Sequence, residues 1–388
     1  MICEVCQEPI GKLTLDLGSH PLCDDLAPID SLEVAPLFRQ LISLCENCLT
    51  AHQMIQVEKE ILFKPSYHYR ASLTKDVLNG MNSLVESFES FIGGLTSKGT
   101  ILDIGCNDGS LLGIFKEIYG CTTIGVDPTK AILESGDRID LKFNEFFSEK
   151  TVSAIKNKTS EVSLITFTNV FAHIEDLPSL LKNLRDLINL NTVLVIENHY
   201  LGSILIGSQF DTFYHEHPRT YSLRSFQFVA RSLGMNIAHV EFPSRYGGNI
   251  RVFMTKGATD FDLSTFIKAE DRFVEDFESM QSVYDAWMIK AKEKISELSA
   301  KGPIYGKALP GRAVMLISAL NLDSNLMPVI FEQPRSPKIG NLVPGTSIEI
   351  RSDDHLLSTN PKVLIVWSWH IIEEIVQYLV PFRPTQGV

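Results

Sequence analysis

The sequence predicts an α/β protein: a cysteine-rich amino-terminal unit, a central parallel sheet, and a second α/β unit behind a helical linker. Three observations carry this. Five of the seven cysteines fall in the first 60 or so residues. Apolar strands then alternate with helical periodicity from Thr100 to Glu197, and the pattern changes again after Phe253. A chain of 388 residues is also too long for one core. The expected units are residues 1–70, 71–258 and 259–388.

The elements follow in order. Short strands and turns fill the first unit. From Lys75 to Phe91 the apolar residues Val77, Leu78, Met81, Leu84, Val85 and Phe88 recur at helical spacing. Strands are expected at Thr100–Ile104, Thr122–Val126, Ser163–Thr168 and Thr192–Glu197, with a helix over Leu177–Leu190. Such alternation is the signature of a parallel sheet. Asp260–Ala300 reads as one or two long helices, and Ala313–Ser318, Met327–Phe331 and Val363–Trp367 read as strands between Pro- and Gly-rich loops.

Composition narrows the function classes. Hydrophobic residues make up 44% and charged residues 21%, an ordinary globular balance. The net charge of −12 disfavours nucleic acid and anionic lipid as partners, since nonspecific binding to either rests on Lys and Arg. No basic-then-apolar leader begins the sequence, and no run of about 18 apolar residues suggests a membrane span. The expectation is a cytoplasmic protein, monomer or dimer, with no nucleic-acid or membrane partner.

Cys3-x2-Cys6 and Cys45-x2-Cys48 are two turns of identical spacing. Each directs two thiolates at one point, and together they complete a tetrahedral four-cysteine Zn2+ site. Four thiolates leave no open coordination position, so the expected zinc is structural. Cys23, between the pairs, is read as a bystander.

The segment Ile101–Ser110 places Asp103 near the end of an apolar strand, followed by Gly105, Asn107, Asp108 and Gly109. The spacing is not that of a dinucleotide fingerprint, and no phosphate-cradling lysine is present. A turn rich in acidic groups suits a ligand with a cationic amine and no phosphate. Asp127-Pro128 ends the next strand, where an acidic residue can accept hydrogen bonds from both ribose hydroxyls. This turn resembles motif I of class I methyltransferases, and Asp127 their ribose-binding acid, which implies a Rossmann-like domain and S-adenosylmethionine. Asn169 to Ile174 follows the next strand; His173 there is either a site residue or a satisfied loop histidine.

Phe210–His217 is dense in groups able to move protons. His215-Glu216 lacks the second histidine of a zincin helix, so acid/base chemistry is preferred to metal binding. With these residues in view, the whole chain from Cys3 to about Ile375 resembles the sugar C-methyltransferases of deoxysugar biosynthesis. The tandem Cys pairs, the Asp103–Gly109 turn, Glu197-Asn198-x-Tyr200, the Phe210–His217 segment, Gly247–Arg251 and Trp367–His370 occur in that order.

The resemblance implies methylation of a nucleotide-linked 4-keto-6-deoxy sugar at C3 or C5. It implies a catalytic Tyr214, Glu216 and His217. A carbon beside a ketone is nucleophilic only after losing a proton, which makes His217 the expected base. Glu216 either orients it or contacts the sugar, and Tyr214 lies near the enolate oxygen. Tyr67 and Tyr69 fall in a segment that closes over substrate and cofactor; Asn198, Tyr200 and Asn249 lie beside the sugar. O- or N-methyl transfer, or a non-catalytic interaction protein, would not need the base.

The sequence departs from the family at Tyr305–Arg312, where the usual G-Y-G-A-x-A-K-like turn is replaced. Tyr305, Lys307 and Arg312 are the candidate contacts to the nucleotide sugar, with Arg312 or Lys307 meeting the diphosphate. Glu332 stands where a carboxylate could reach ribose.

Overall fold

The computed structural model describes residues 1–31, 34–63, 70–73, 75–95 and 99–380. The amino-terminal strands β1 (Thr14–His20), β3 (Phe38–Cys45) and β4 (Thr50–Gln53) form an antiparallel ladder, while β2 (Ala27–Pro28) leaves it for another sheet.

The central sheet contains β5 (Thr100–Ile104), β6 (Thr122–Val126), β7 (Leu141–Phe143), β8 (Leu164–Thr168) and β9 (Val193–His199), all parallel. A short β10 (Arg219–Thr220) crosses to pair with β4, and β11 (Asn236–Glu241) and β12 (Asn249–Thr255) complete the central sheet antiparallel. The order is β11-β12-β9-β8-β5-β6-β7. The winding therefore reverses between β5 and β8, and open α/β sheets bind ligands at such a reversal, beyond the carboxyl ends of the strands.

Strand alternation divides the core. Ile101 joins Leu84, Phe88 and Phe115 from the helices Lys75–Ile92 and Ser110–Tyr119 on one face. Leu102 and Ile104 join Leu180, Leu184, Phe226 and Val229 from the helices Leu177–Leu187 and Leu223–Ser232 on the other. With helices on both faces, a strand in the middle has no solvent side, and every residue of β5 is buried.

The linker is two helices, Ser264–Ala269 and Phe273–Ser299. Phe273, Phe277 and Met280 pack into the central core and Ile295 into the carboxyl-terminal one. The long helix thus spans both.

The carboxyl-terminal sheet joins β13 (Ile304–Lys307), β14 (Val329–Glu332), β15 (Asn341–Leu342), β16 (Glu349–Ser352) and β17 (Val363–Val366) in the order β17-β13-β14-β16-β15-β2. Here Ala313–Ser318, expected as a strand, is instead part of the helix Gly311–Ala319. A short all-apolar run carries no period that separates a buried helix from a buried strand. The strand lies earlier, at Ile304–Lys307, and Pro310, extended at φ −67° and ψ 155°, marks the helix start.

The units share elements. β10 belongs to the amino-terminal sheet, and β2 closes the far edge of the carboxyl-terminal sheet. Arg219, fully buried, ion-pairs Glu4 beside the first Cys pair and donates to the carbonyls of Ile174 and Glu175 at the central sheet edge. Removing Arg219 lets the partly exposed Glu4 return to water but takes the donor from two carbonyls that the side chain had covered. Arg219→Ala is expected to lower stability by about 1–3 kcal/mol, measured as a shifted urea midpoint with an unchanged slope; a shift within error would show that the link contributes nothing.

Candidate active site and metal centre

The turn after β5 is shaped by left-handed backbone at Gly105 (φ 76°), Asn107 (φ 49°) and Gly109 (φ 75°). A Cβ on Gly105 would stand 2.4 Å from Val170, so this turn lies directly against the loop after β8. Gly109 precedes the helix Ser110–Tyr119, leaving its first amides facing the turn.

Asp103 is buried and accepts a hydrogen bond from Thr166 Oγ1 at 2.7 Å. Burial, helped by the nearby Asp127 charge, pushes its carboxyl up to about 7. A cation bound beside it would restore the ionised form. Asp127 Oδ1 accepts from the Thr129 amide and hydroxyl at 2.8 and 2.6 Å, and Oδ2 from the Asn107 amide at 2.8 Å. Pro128 follows it, half-buried. Asn107 Oδ1 and Asp108 Oδ2 hold the amides of Ala71 and Ser72, each at 3.0 Å. Tyr67 and Tyr69 lie outside the described residues.

Across the reversal, Asn169 (φ 54°) donates its amide to the Glu197 carbonyl at 2.7 Å, and its Oδ1 accepts from Asn249 Nδ2 at 3.1 Å. Glu197 is buried between Arg251 (2.6 Å), Asn249 (2.9 Å) and Arg245 (3.2 Å), which fixes the ends of β9 and β12. Thr168 Oγ1, Asn198 Nδ2 and Asn249 Oδ1 are buried there without a hydrogen-bond partner among the described residues.

The Tyr214–His217 turn sits beside this edge. The His217 ring centroid is 4.3 Å from that of Tyr214, 4.8 Å from His173 and 4.9 Å from His199. His217 Nδ1 donates to the Thr212 carbonyl at 2.9 Å, which leaves the lone pair on Nε2. His173 Nδ1 donates to the Glu216 carbonyl at 2.6 Å. Burial holds His217 and His199 well below the usual imidazole range and His173 at about 4, so all three are neutral near pH 7. Burial and the nearby Glu216 keep the Tyr214 phenol protonated. A neutral imidazole with a free lone pair beside a phenol donor can take a proton from carbon and stabilise the oxyanion that forms.

Sequence reasoning missed His199, the unspecified position of the Glu197–Tyr200 segment, whose only signal was its place at a strand end. The structure also separates residues that the sequence groups. His215 turns to the Phe38 carbonyl at 3.1 Å, and the Tyr200 hydroxyl donates to Glu270 of the linker at 2.9 Å. Tyr305 stacks on Phe331, and Lys307 pairs with buried Asp353 at 2.6 Å. Arg312 pairs with Asp211 rather than facing an open pocket. Glu332 accepts from the Leu309 amide at 2.6 Å. Cys23 is buried in the carboxyl-terminal core, close enough to Glu216 for its charge to raise the thiol.

In the amino-terminal unit, the sulfurs of Cys3, Cys6, Cys45 and Cys48 lie within 4.8 Å of one another. The Cys3–Cys48 and Cys6–Cys45 separations are 3.5 Å each. A tetrahedron with Zn–S bonds of about 2.3 Å has edges of about 3.8 Å, so the donor set fits that ion. His52 Nε2 stands 3.3 Å from Cys3 Sγ, in the position of an outer hydrogen-bond partner.

Residues 80–240 match the family described as a methyltransferase domain, and residues 244–387 match the C-methyltransferase C-terminal domain. The protein is an S-adenosylmethionine-dependent methyltransferase whose second half matches a C-methyltransferase C-terminal domain. C-methyltransferase NovU of Streptomyces niveus is 25% identical over 396 residues, spanning 99% of this chain and 93% of that protein. Among solved structures, magnesium protoporphyrin IX methyltransferase of Synechocystis PCC 6803 with bound SAH aligns at 14% identity. It covers 47% of this chain and 84% of its own, with a TM-score of 0.36. The methyltransferase complexed with Trm112 from Haloferax volcanii aligns at 11%, covering 47% and 95%, with a TM-score of 0.36. Among the described residues no helix is long and apolar enough to cross a membrane.

The buried histidines set a pH dependence. His173, His215 and His370 are each held at about 4, and burial also holds His199 and His217 well below the 6.5 of an exposed imidazole. The unfolded chain therefore binds more protons between those values. Stability is full above about 6.5 and lost as pH falls toward 4. The carboxyls of Asp103, Asp127 and Glu270, which burial raises, work in the opposite sense, three groups against these five histidines. The thermal midpoint is expected to drop steadily from pH 7 to pH 5; a flat or rising midpoint over that range would contradict neutral burial.

Proposed function

We propose that this C-methyltransferase acts on a nucleotide-linked 4-keto-6-deoxy sugar, at C3, with His217 removing the proton from the carbon that is methylated. The observation that carries the reading is the neutral His217 ring, its Nδ1 tied to Thr212, packed at a tilt against the Tyr214 phenol at the ligand edge of the sheet. Carbon methylation beside a ketone requires a base of this kind, whereas O- and N-methyl transfer from an existing lone pair does not.

In this reading Asp103, Gly105, Asn107, Asp108, Gly109, Asp127, Pro128, Asn169 and His173 hold S-adenosylmethionine, which supplies an electrophilic methyl group when bound. The unpaired buried atoms Thr168 Oγ1, Asn198 Nδ2 and Asn249 Oδ1 support a polar ligand at this edge. His217 Nε2 takes the α-proton. Tyr214 donates a hydrogen bond to the 4-oxygen as negative charge gathers there, and Glu216 orients the turn or contacts a sugar hydroxyl.

The proposed metal is one structural Zn2+ on Cys3, Cys6, Cys45 and Cys48. It adds no chemistry at the carbon. It would hold the Cys48 carbonyl, which accepts from Ser222 and Ser225 just beyond β10, and so stabilise the chain that follows the His217 turn.

Three experiments test these assignments. With a panel of 4-keto-6-deoxy sugar nucleotides, mass spectrometry should show the gain of one methyl on one of them. His217→Gln should lower kcat by roughly 100- to 10,000-fold while S-adenosylmethionine still binds; near-normal turnover would remove His217 from the role of base. Elemental analysis should find one zinc per chain, and its chelation should lower the thermal midpoint and methyl transfer together. Purified protein without zinc and with all four thiols reactive would exclude the metal.

A further inference from the structure

The residues just before the Tyr214–His217 turn are held by the carboxyl-terminal unit. Arg312, at the start of the helix Gly311–Ala319, forks onto Asp211: Nε to Oδ2 at 2.8 Å and Nη2 to Oδ1 at 3.0 Å. Its Nη2 also donates to Thr212 Oγ1, and Nη1 donates to the Tyr246 carbonyl at 3.0 Å. Trp369, from the turn after β17, donates Nε1 to Asp211 Oδ2 at 3.0 Å, and its ring lies 4.8 Å beneath the guanidinium. The Arg312 and Asp211 side chains are only 7% and 5% exposed.

Thr212 is the residue whose carbonyl accepts the hydrogen bond from His217 Nδ1. A carbonyl can only accept, so its position decides which imidazole nitrogen carries hydrogen and which carries the lone pair. Phe210–Thr212 is a single short turn and cannot fix that carbonyl by its own hydrogen bonding. The clamp at Asp211 and Thr212 comes from outside, through two side chains of another unit.

We propose that Arg312, supported by Trp369, is a positioning residue of this enzyme: through Asp211 and Thr212 it holds the carbonyl that keeps His217 in its Nδ1–H tautomer. Arg312 touches neither substrate nor cofactor in this role. Its guanidinium, which the sequence offered as a diphosphate ligand, instead couples the seating of the carboxyl-terminal unit to the state of the base. A guanidinium suits this task because its planar fork meets both carboxylate oxygens at once, which an ammonium cannot.

The inference rests on the reading of His217 as base, but its test does not. In the full-length protein with isotopically labelled imidazole nitrogens, the His217 signal is assigned by its loss in His217→Gln. The parent should show the Nδ1–H tautomer. Arg312→Lys keeps the charge and loses the fork; it should give mixed tautomers, unchanged S-adenosylmethionine affinity, and a kcat lower by up to roughly 100-fold with little change in KM. Asp211→Asn should behave alike. If either variant fails to fold, Trp369→Phe, which removes one donor only, should still shift the tautomer in the same direction. Folded variants that keep the parental tautomer would overturn the proposal. If the tautomer shifts while His217→Gln retains turnover, the clamp stands and the assignment of the base falls.

Discussion

The stretch from Gln209 to Pro218 makes little regular structure, yet it is almost wholly buried. That constraint organises the molecule. A buried segment that cannot satisfy its polar groups in a helix or sheet must find partners elsewhere. Here they come from every side: the amino-terminal sheet takes the Tyr214 carbonyl through Gln53 and the Pro218 carbonyl through a backbone amide. The carboxyl-terminal unit takes Asp211, and the linker helix packs Tyr284 and Trp287 against Phe210, each at 4.9 Å. Three units converge on one turn because the turn cannot hold itself.

The same logic explains how an acidic protein keeps several cations indoors. Arg219, Arg251, Lys307 and Arg312 are buried, and each faces its own carboxylate: Glu4, Glu197, Asp353 and Asp211. Such pairs recover little more than their desolvation penalty. Their contribution is geometric. Each is satisfied by one arrangement of the elements it joins, so together they select that arrangement among compact alternatives.

What the sequence made legible was local. The turn after β5 depends on neighbours within a few positions, so Asp103, Gly105 and Gly109 announce it; the two Cys pairs announce a tetrahedral donor set by their spacing alone. Buried strands with helical neighbours were visible for the same reason, and β5 and β6 have the expected bounds. Residues whose meaning depends on what arrives from far away were not legible. Arg312 reads as a free cation until Asp211 is beside it, and Tyr200 as a sugar contact until the linker brings Glu270. His199 is unremarkable in the chain and becomes part of a histidine cluster only through the fold. The helix at Gly311–Ala319 was misread because apolar composition without period leaves the choice to tertiary packing.

The small strand β2 has a consequence for how the protein is made. Its partner β15, Asn341–Leu342, is synthesised long after it. The cysteine-rich segment can begin to order itself at once, but its loop must wait, unpaired, while the central sheet forms. Pairing across nearly the whole chain is the kind of late, non-local closure that slows folding. Completing that sheet edge therefore waits on residues made long after β2 itself. A truncated product lacking the β15 segment would leave β2 without its partner, a built-in mark of incomplete synthesis.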